Sequence, residues 1–248
     1  MTEPAELDIP WTRGSFASRL REFFICGVLG PLMDLYTRRR VVGREHLDDL
    51  TGAVLFVANH NSHMDTPVIL RALPSRWRRR TAVAAASDYF YDKRHKALSA
   101  SLGFGTLPLD RSRGSGVGSG QTGHLERLIR DGGCLLMFPE GTRSRDGRVA
   151  RLRSGAALLA KEHHLPIVPI YVSGTRAAMP RGRRWMVFKA GRPGPRHAIE
   201  IRFGNPIFPR DGERLSEVME RVRLFLAECG AEMGRRRDVE RARPPQPA

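Results

Sequence analysis

Two stretches of this chain are apolar without interruption: Ala53-Val54-Leu55-Phe56-Val57-Ala58 and Cys134-Leu135-Leu136-Met137-Phe138. A strand with one wet face alternates apolar and polar residues. A run without alternation, too short for an ordinary helix, reads as a buried strand. Residues 81–86, 106–109, 167–172 and 198–203 also read as strands, and 41–43 as a short one. Helical patterns lie between them, over 93–102, 125–130 and 154–163. Another helix is expected to start at Pro67, with Thr66 as its N-cap and proline in the first position. Near the end, Leu215, Val218, Met219, Val222, Phe225 and Leu226 recur at helical spacing and form one apolar face. Strands alternating with helices predict an α/β fold in a single domain. Its central sheet is mostly parallel and flanked by helices on both faces.

Sheets of this kind hold their ligands beyond the carboxyl ends of the strands. Both apolar runs end in a polar block there. The first continues as Asn59-His60-Asn61-Ser62-His63-Met64-Asp65. If His60 and Asp65 share one strand-to-helix loop, the carboxylate can accept the imidazole Nδ1–H and leave Nε2 as a base. His63 is a rival base in the same loop. Ser62-x-x-Asp65 is also a capping box, which would explain both polar residues without chemistry. The second run continues as Pro139-Glu140-Gly141-Thr142-Arg143-Ser144. Proline ends strand pairing, and glycine enters a turn that other residues enter at a cost. Backbone N–H groups there, with Arg143, would cradle a phosphate or a developing oxyanion. A plain surface turn is the blander reading.

Taken together, Asn-His-x-Ser-x-x-Asp and Phe-Pro-Glu-Gly-Thr-Arg-Ser resemble the two signature blocks of the glycerolipid acyltransferase family. Gly105-Thr106-Leu107-Pro108-Leu109-Asp110-Arg111 resembles the family's second motif, and Val168-Pro169-Ile170 its fourth. Arg151-Leu152-Arg153 resembles a stretch where the family often carries lysine near position 153. The resemblance implies that His60 is the base and Asp65 its orienting partner. It implies that Arg111, Glu140, Gly141, Thr142 and Arg143 bind substrate, with the arginines on the acceptor phosphate. It further implies O-acyl transfer from acyl-CoA or acyl carrier protein to a lysophospholipid, most simply 1-acylglycerol-3-phosphate. No metal and no cofactor beyond that co-substrate is expected. Glycerol-3-phosphate, lyso-ornithine lipid or a glycolipid are alternative acceptors.

Charge bears on partners. The 248 residues carry 42 Lys+Arg against 26 Asp+Glu, a net charge of +16. Such a surplus implies polyanionic company: an anionic membrane, phosphorylated substrates or nucleic acid. Arg76-Trp77-Arg78-Arg79-Arg80 and Arg181-Gly182-Arg183-Arg184-Trp185 suit either a membrane interface or nucleic-acid stacking. No recognised nucleic-acid motif accompanies them. Residues 112–123 are glycine-rich but fit neither a dinucleotide fingerprint nor a Walker loop, and read as a connection. Three widely spaced cysteines, Cys26, Cys134 and Cys229, predict buried free thiols in a reducing compartment.

The chain divides into a polar arm (1–14), a helical membrane-interface segment (15–40), the main domain (41–233) and a disordered basic, proline-rich tail (234–248). The uncharged run from Phe23 to Met33 spans 11 residues, where a membrane crossing needs about 20. A helix packed on the domain surface and one lying in the bilayer interface both fit; the family resemblance favours the interface. The acidic first ten residues lack the character of a secretory leader. Peripheral attachment to the cytoplasmic face of the cell membrane is the expected location. A homodimer is left open.

Overall fold

A computed structural model describes residues 14–86, 103–109, 122–183, 185–191 and 193–234. The expected arm, the helix over 93–102, Arg111 and the tail beyond 234 lie outside them. The glycine-rich segment enters only at Thr122, which opens a helix.

Seven strands form one sheet: β1 (Thr37–Val42), β2 (Leu55–Ala58), β3 (Thr81–Ala86), β4 (Thr106–Leu109), β5 (Cys134–Met137), β6 (Ile167–Ser173) and β7 (His197–Phe203). Their order is β1-β7-β6-β2-β5-β3-β4, and every pairing is parallel except β6 with β7. Alternate residues of β2 serve opposite faces, as a doubly covered strand must. Phe56 and Ala58 join one core, with Met33, Val68, Leu136 and Ile170. Leu55 and Val57 join the other, with Ala156, Leu135, Val218 and Val222. The first face is covered by α1 (Ser15–Phe23), a π-helical turn (Phe24–Leu29), α2 (Gly30–Tyr36) and α3 (Asp65–Ala72). After α4 (Ser75–Arg78), the second is covered by α5 (Thr122–Arg130), α6 (Gly155–Glu162) and, beyond α7 (Thr175–Ala178), α8 (Leu215–Glu228). Val218, Met219, Val222 and Leu226 of α8 are buried, which is the apolar face read from their spacing.

Several expectations need correction. The helical N-terminal segment ends at Tyr36, and Arg38-Arg39-Arg40 belong to edge strand β1, paired in register with β7. The long-range partner overrides what the preceding helix would extend. Helix α3 begins at Asp65, so Pro67 is its third residue, where the missing N–H still has no helical acceptor to lose. Trp77 is 1% exposed, edge-on to Phe56 in the core, with the guanidinium groups of Arg76 and Arg80 over its ring at 5.5 and 4.8 Å. It is available to neither lipid nor nucleic acid, whereas Trp185 is 47% exposed. All three cysteines are free, but only Cys134 is buried; Cys26 and Cys229 are half-buried.

The N-terminal segment buries Ile25 and Met33 in the core and is apolar on much of its outer side as well. Its charged residues hold it to the domain. Arg71 makes a two-pronged contact with Asp34 at 2.6 and 2.7 Å, and Arg78 reaches Glu22 at 2.7 Å. Its outward face is apolar: Phe16, Leu20, Phe23, Phe24, Val28 and Leu35 are all exposed. Among the described residues no helix is long and apolar enough to cross a membrane.

Candidate active site

Strand β2 lies between β5 and β6, parallel to both. The loops leaving β2 and β5 therefore emerge side by side at one edge of the sheet. This topology brings residue 60 to residue 140.

Asn59 ends β2 by continuing its pairing with a side chain. Its amide donates to the Val172 carbonyl at 2.9 Å and accepts the Val172 N–H at 2.8 Å. The main chain is thus released to turn while the ladder stays closed. The next residue, His60, is fixed through its own backbone. Its N–H donates to Glu140 Oε1 at 2.7 Å, and its carbonyl accepts the Ser144 N–H at 2.8 Å. The imidazole stacks on Phe138 with ring centroids 4.0 Å apart.

Nδ1 of His60 lies 2.9 Å from Oδ2 of Asp65. The same oxygen accepts the N–H groups of Asn61 at 2.6 Å and Ser62 at 2.8 Å. Oδ1 accepts the Thr175 hydroxyl at 2.5 Å. Asp65 is wholly buried. With donors on every side it acts as acceptor, so Nδ1 carries the hydrogen and Nε2 is the basic atom. The return bonds to Asn61 and Ser62 also close the turn that starts α3 at Asp65, ahead of Pro67. Half of the capping box is thus present, but the carboxylate that makes it also holds the histidine. The Ser62 hydroxyl accepts the Met64 N–H at 3.3 Å and donates to the Met179 carbonyl at 2.9 Å.

His63, the rival base, is exposed overall. Partial desolvation of its ring, then the nearby charges of Arg143 and His60, push its pKa down to about 4. No carboxylate holds it in a hydrogen bond as Asp65 holds His60. The Ser144 N–H on the His60 carbonyl brings the turn that carries Arg143 against the histidine loop.

Glu140 was expected among the substrate-binding residues, orienting the arginines or the acceptor. Its carboxylate instead faces inward, 5% exposed, with Oε1 on His60 N–H and Oε2 on Ala150 N–H at 2.8 Å. Burial raises its pKa to about 7 against the lowering pull of those two bonds. Its carboxylate thus ties the His60 main chain to that of Ala150. Gly141 takes the left-handed conformation expected of it, at φ +72. A Cβ there would also come within 3.1 Å of the Arg153 guanidinium. The Gly141 N–H is spent on the Phe138 carbonyl at 3.0 Å, so it does not join an anion cradle. Thr142 is exposed and Arg143 half-buried on the same turn. The turn is braced by Arg176, which donates to the carbonyls of Ser144 and Arg145 at 3.3 and 2.6 Å.

Arg111 lies outside the described residues; the strand that leads to it, β4, runs parallel to β3. Val168-Pro169-Ile170 sits inside β6, buried, where pairing passes from β2 to β7. Thr175 and Arg176 were missed in the sequence. The available signal was their position directly beyond the end of β6, after Gly174 at φ +81. Among the described residues no cluster of three His, Cys, Asp or Glu is placed to hold a metal.

The acyltransferase family profile matches residues 38–173. A 1-acyl-sn-glycerol-3-phosphate acyltransferase of Limnanthes douglasii is 54% identical over 48 residues, 19% of this chain and 17% of that protein. A chloroplastic enzyme of the same name from Brassica napus is 30% identical over 150 residues, 57% of this chain and 39% of its own length. Its namesake from Saccharomyces cerevisiae is 28% identical over 199 residues, 79% of this chain and 60% of its own. The chain thus spans between 17% and 60% of the length of these relatives. The crystal structure of the 1-acyl-sn-glycerophosphate acyltransferase from Thermotoga maritima superimposes with a TM-score of 0.58. It is 23% identical and covers 92% of this chain and 87% of that one, so the fold is shared.

Proposed function

The chain belongs to the acyltransferase family, and from that premise we propose that it moves a fatty acyl group from a thioester to the free hydroxyl of a lysophospholipid. The donor is acyl-CoA or acyl carrier protein. The acceptor is 1-acylglycerol-3-phosphate, and the product phosphatidic acid. The observation that carries this is the His60–Asp65 pair at 2.9 Å, beside the Glu-Gly-Thr-Arg turn.

Nε2 of His60 takes the hydroxyl proton as the oxygen attacks the thioester carbonyl. Negative charge gathers on the carbonyl oxygen, the C–S bond breaks, and the imidazolium returns its proton to the leaving thiolate. Asp65 stabilises the imidazolium and keeps its ring aimed. Phe138 backs the ring from one face. Arg143, with Arg111, holds the acceptor phosphate, so that head-group binding places the hydroxyl. The names of the relatives support the choice of acceptor. The apolar outward face of residues 15–36 supports docking on a membrane, where a lysolipid is found. Peripheral attachment to the cytoplasmic face follows from that reading.

Incubation of the protein with labelled acyl-CoA and lysophosphatidic acid is expected to yield labelled phosphatidic acid. Labelling of glycerol-3-phosphate or lyso-ornithine lipid instead would overturn the acceptor. No labelled lipid with any acceptor, from either donor, would overturn the activity.

A further inference from the structure

The exposed apolar stripe of the N-terminal helices does not end at Leu35. Tyr36, the last residue of α2, stacks on Phe188 with ring centroids 4.4 Å apart. Arg196 donates to the Asp34 carbonyl at 3.2 Å, and His197 bonds the Val187 carbonyl at 3.1 Å. The turn that carries Phe188 is therefore packed against the end of α2, beside exposed Leu35. Three residues before Phe188, Trp185 stands 47% exposed.

The charge of this stretch is one-sided. From residue 174 to 199 the sequence holds seven arginines and lysines and no acidic residue. Arg181, Arg183, Lys189 and Arg196 of this stretch are exposed. Arg38 and Arg40 on the adjoining edge strand are exposed too. An exposed tryptophan with exposed cations near it in sequence, on a segment that packs against the end of an apolar helical stripe, has the composition of a surface for an anionic bilayer. Indole lies at head-group depth, and each nearby cation adds attraction to anionic lipid.

The geometry points to residues 180–183, 185–191 and 193–196 as a second membrane-contacting element, with Trp185 as its interfacial anchor and anionic phospholipid as its partner. This rests on the proposed lipid-directed activity but concerns a different surface. The segment directly follows α7, where the Thr175 hydroxyl donates to Asp65 and the Met179 carbonyl accepts the Ser62 hydroxyl. The lipid contact thus adjoins the helix that is hydrogen-bonded to the histidine loop.

The test uses the full chain carrying Trp11→Phe, with vesicles of phosphatidylcholine with and without phosphatidylglycerol. Trp77 is buried, so lipid brominated near the head group reads Trp185. Quenching is expected with phosphatidylglycerol present. Arg181→Gln combined with Arg183→Gln is expected to weaken binding to those vesicles about tenfold or more, at about 1 kcal/mol per cation, and hardly to change binding to phosphatidylcholine alone. Sedimentation with vesicles but no quenching of Trp185 would overturn the inference. So would unchanged vesicle binding by the double variant, or a loss of salt-sensitive oligonucleotide binding in its place. Acyl transfer to lysophosphatidic acid in detergent is followed in parallel. Failure there counts against the proposed reaction and not against the contact, because the quenching does not depend on turnover.

Discussion

The Thr175 hydroxyl donates to Oδ1 of Asp65 at 2.5 Å, while the opposite oxygen, Oδ2, takes His60 at 2.9 Å. One carboxylate is thereby clamped between a residue five positions away and one more than a hundred positions away in the chain. Removing the clamp frees Asp65 to rotate without removing the base. Thr175→Val keeps the shape and deletes the donor. It is expected to lower kcat on the order of tenfold, the scale of one hydrogen bond to a charged group of about 1.5 kcal/mol or more. KM should stay nearly constant, and Thr175→Ser should restore most of the rate. Steady-state kinetics of the two variants check this; a valine variant with wild-type kcat would remove Thr175 from the machinery.

Glu140 links the site to pH. Its folded pKa, about 7, stands above the ordinary carboxylate value of 4.5 because the group is buried. The folded state therefore holds this proton more tightly than the unfolded chain does. The associated stability is fully present below pH 4.5 and is lost as pH rises through about 7. Its size is at most about 3 kcal/mol, at 1.36 kcal/mol per unit. Urea unfolding of wild type and Glu140→Gln across this range should show their stability difference moving in favour of the variant as pH rises. A difference independent of pH would contradict the assignment. Because Glu140 grips the His60 N–H, the variant should also lose turnover.

Arg143 is half-buried on the turn after β5, which the Ser144 N–H ties to the His60 carbonyl at 2.8 Å. Arg143→Ala is expected to raise KM for a phosphate-bearing acceptor on the order of tenfold or more, with kcat much less affected, because a charge-assisted contact is lost in ground and transition state alike. A fall in kcat at unchanged KM would move Arg143 from binding to the reacting centre.

Asn59 is 1% exposed and satisfies both the N–H and the carbonyl of Val172. Asn59→Ala strands the buried Val172 N–H and leaves its carbonyl only the long bond from Asn61 Nδ2 at 3.5 Å, each loss costing about 1–3 kcal/mol. Chemical denaturation should show a loss in the range of about 2–5 kcal/mol. A variant as stable as wild type would mean that the strand end relaxes to pair in another way.

The central strands and the His60–Asp65 pair were legible because both are local. Unbroken apolar runs mark covered strands, and five residues span one loop. What escaped depends on contacts distant in sequence. Nothing near Thr37 announces that its partner is His197 in an edge pairing. Nothing near Thr175 announces Asp65. Trp77 misled because arginines crowd it in sequence; in the fold their guanidinium groups roof the indole and its ring faces Phe56. Glu140 misled in the opposite way. A carboxylate in a substrate-binding motif suggests contact with substrate, but its neighbours His60 and Ala150 offer backbone N–H groups that only the folded loops bring together.

The central claim is that His60 is the base of an acyl transfer. Wild type and His60→Ala, assayed together for acyl transfer from labelled acyl-CoA to lysophosphatidic acid, test it most directly. The account predicts phosphatidic acid from wild type and a kcat lower by about 10²-fold or more in the variant, the usual scale for a positioned base. Turnover by His60→Ala within a few-fold of wild type would contradict it.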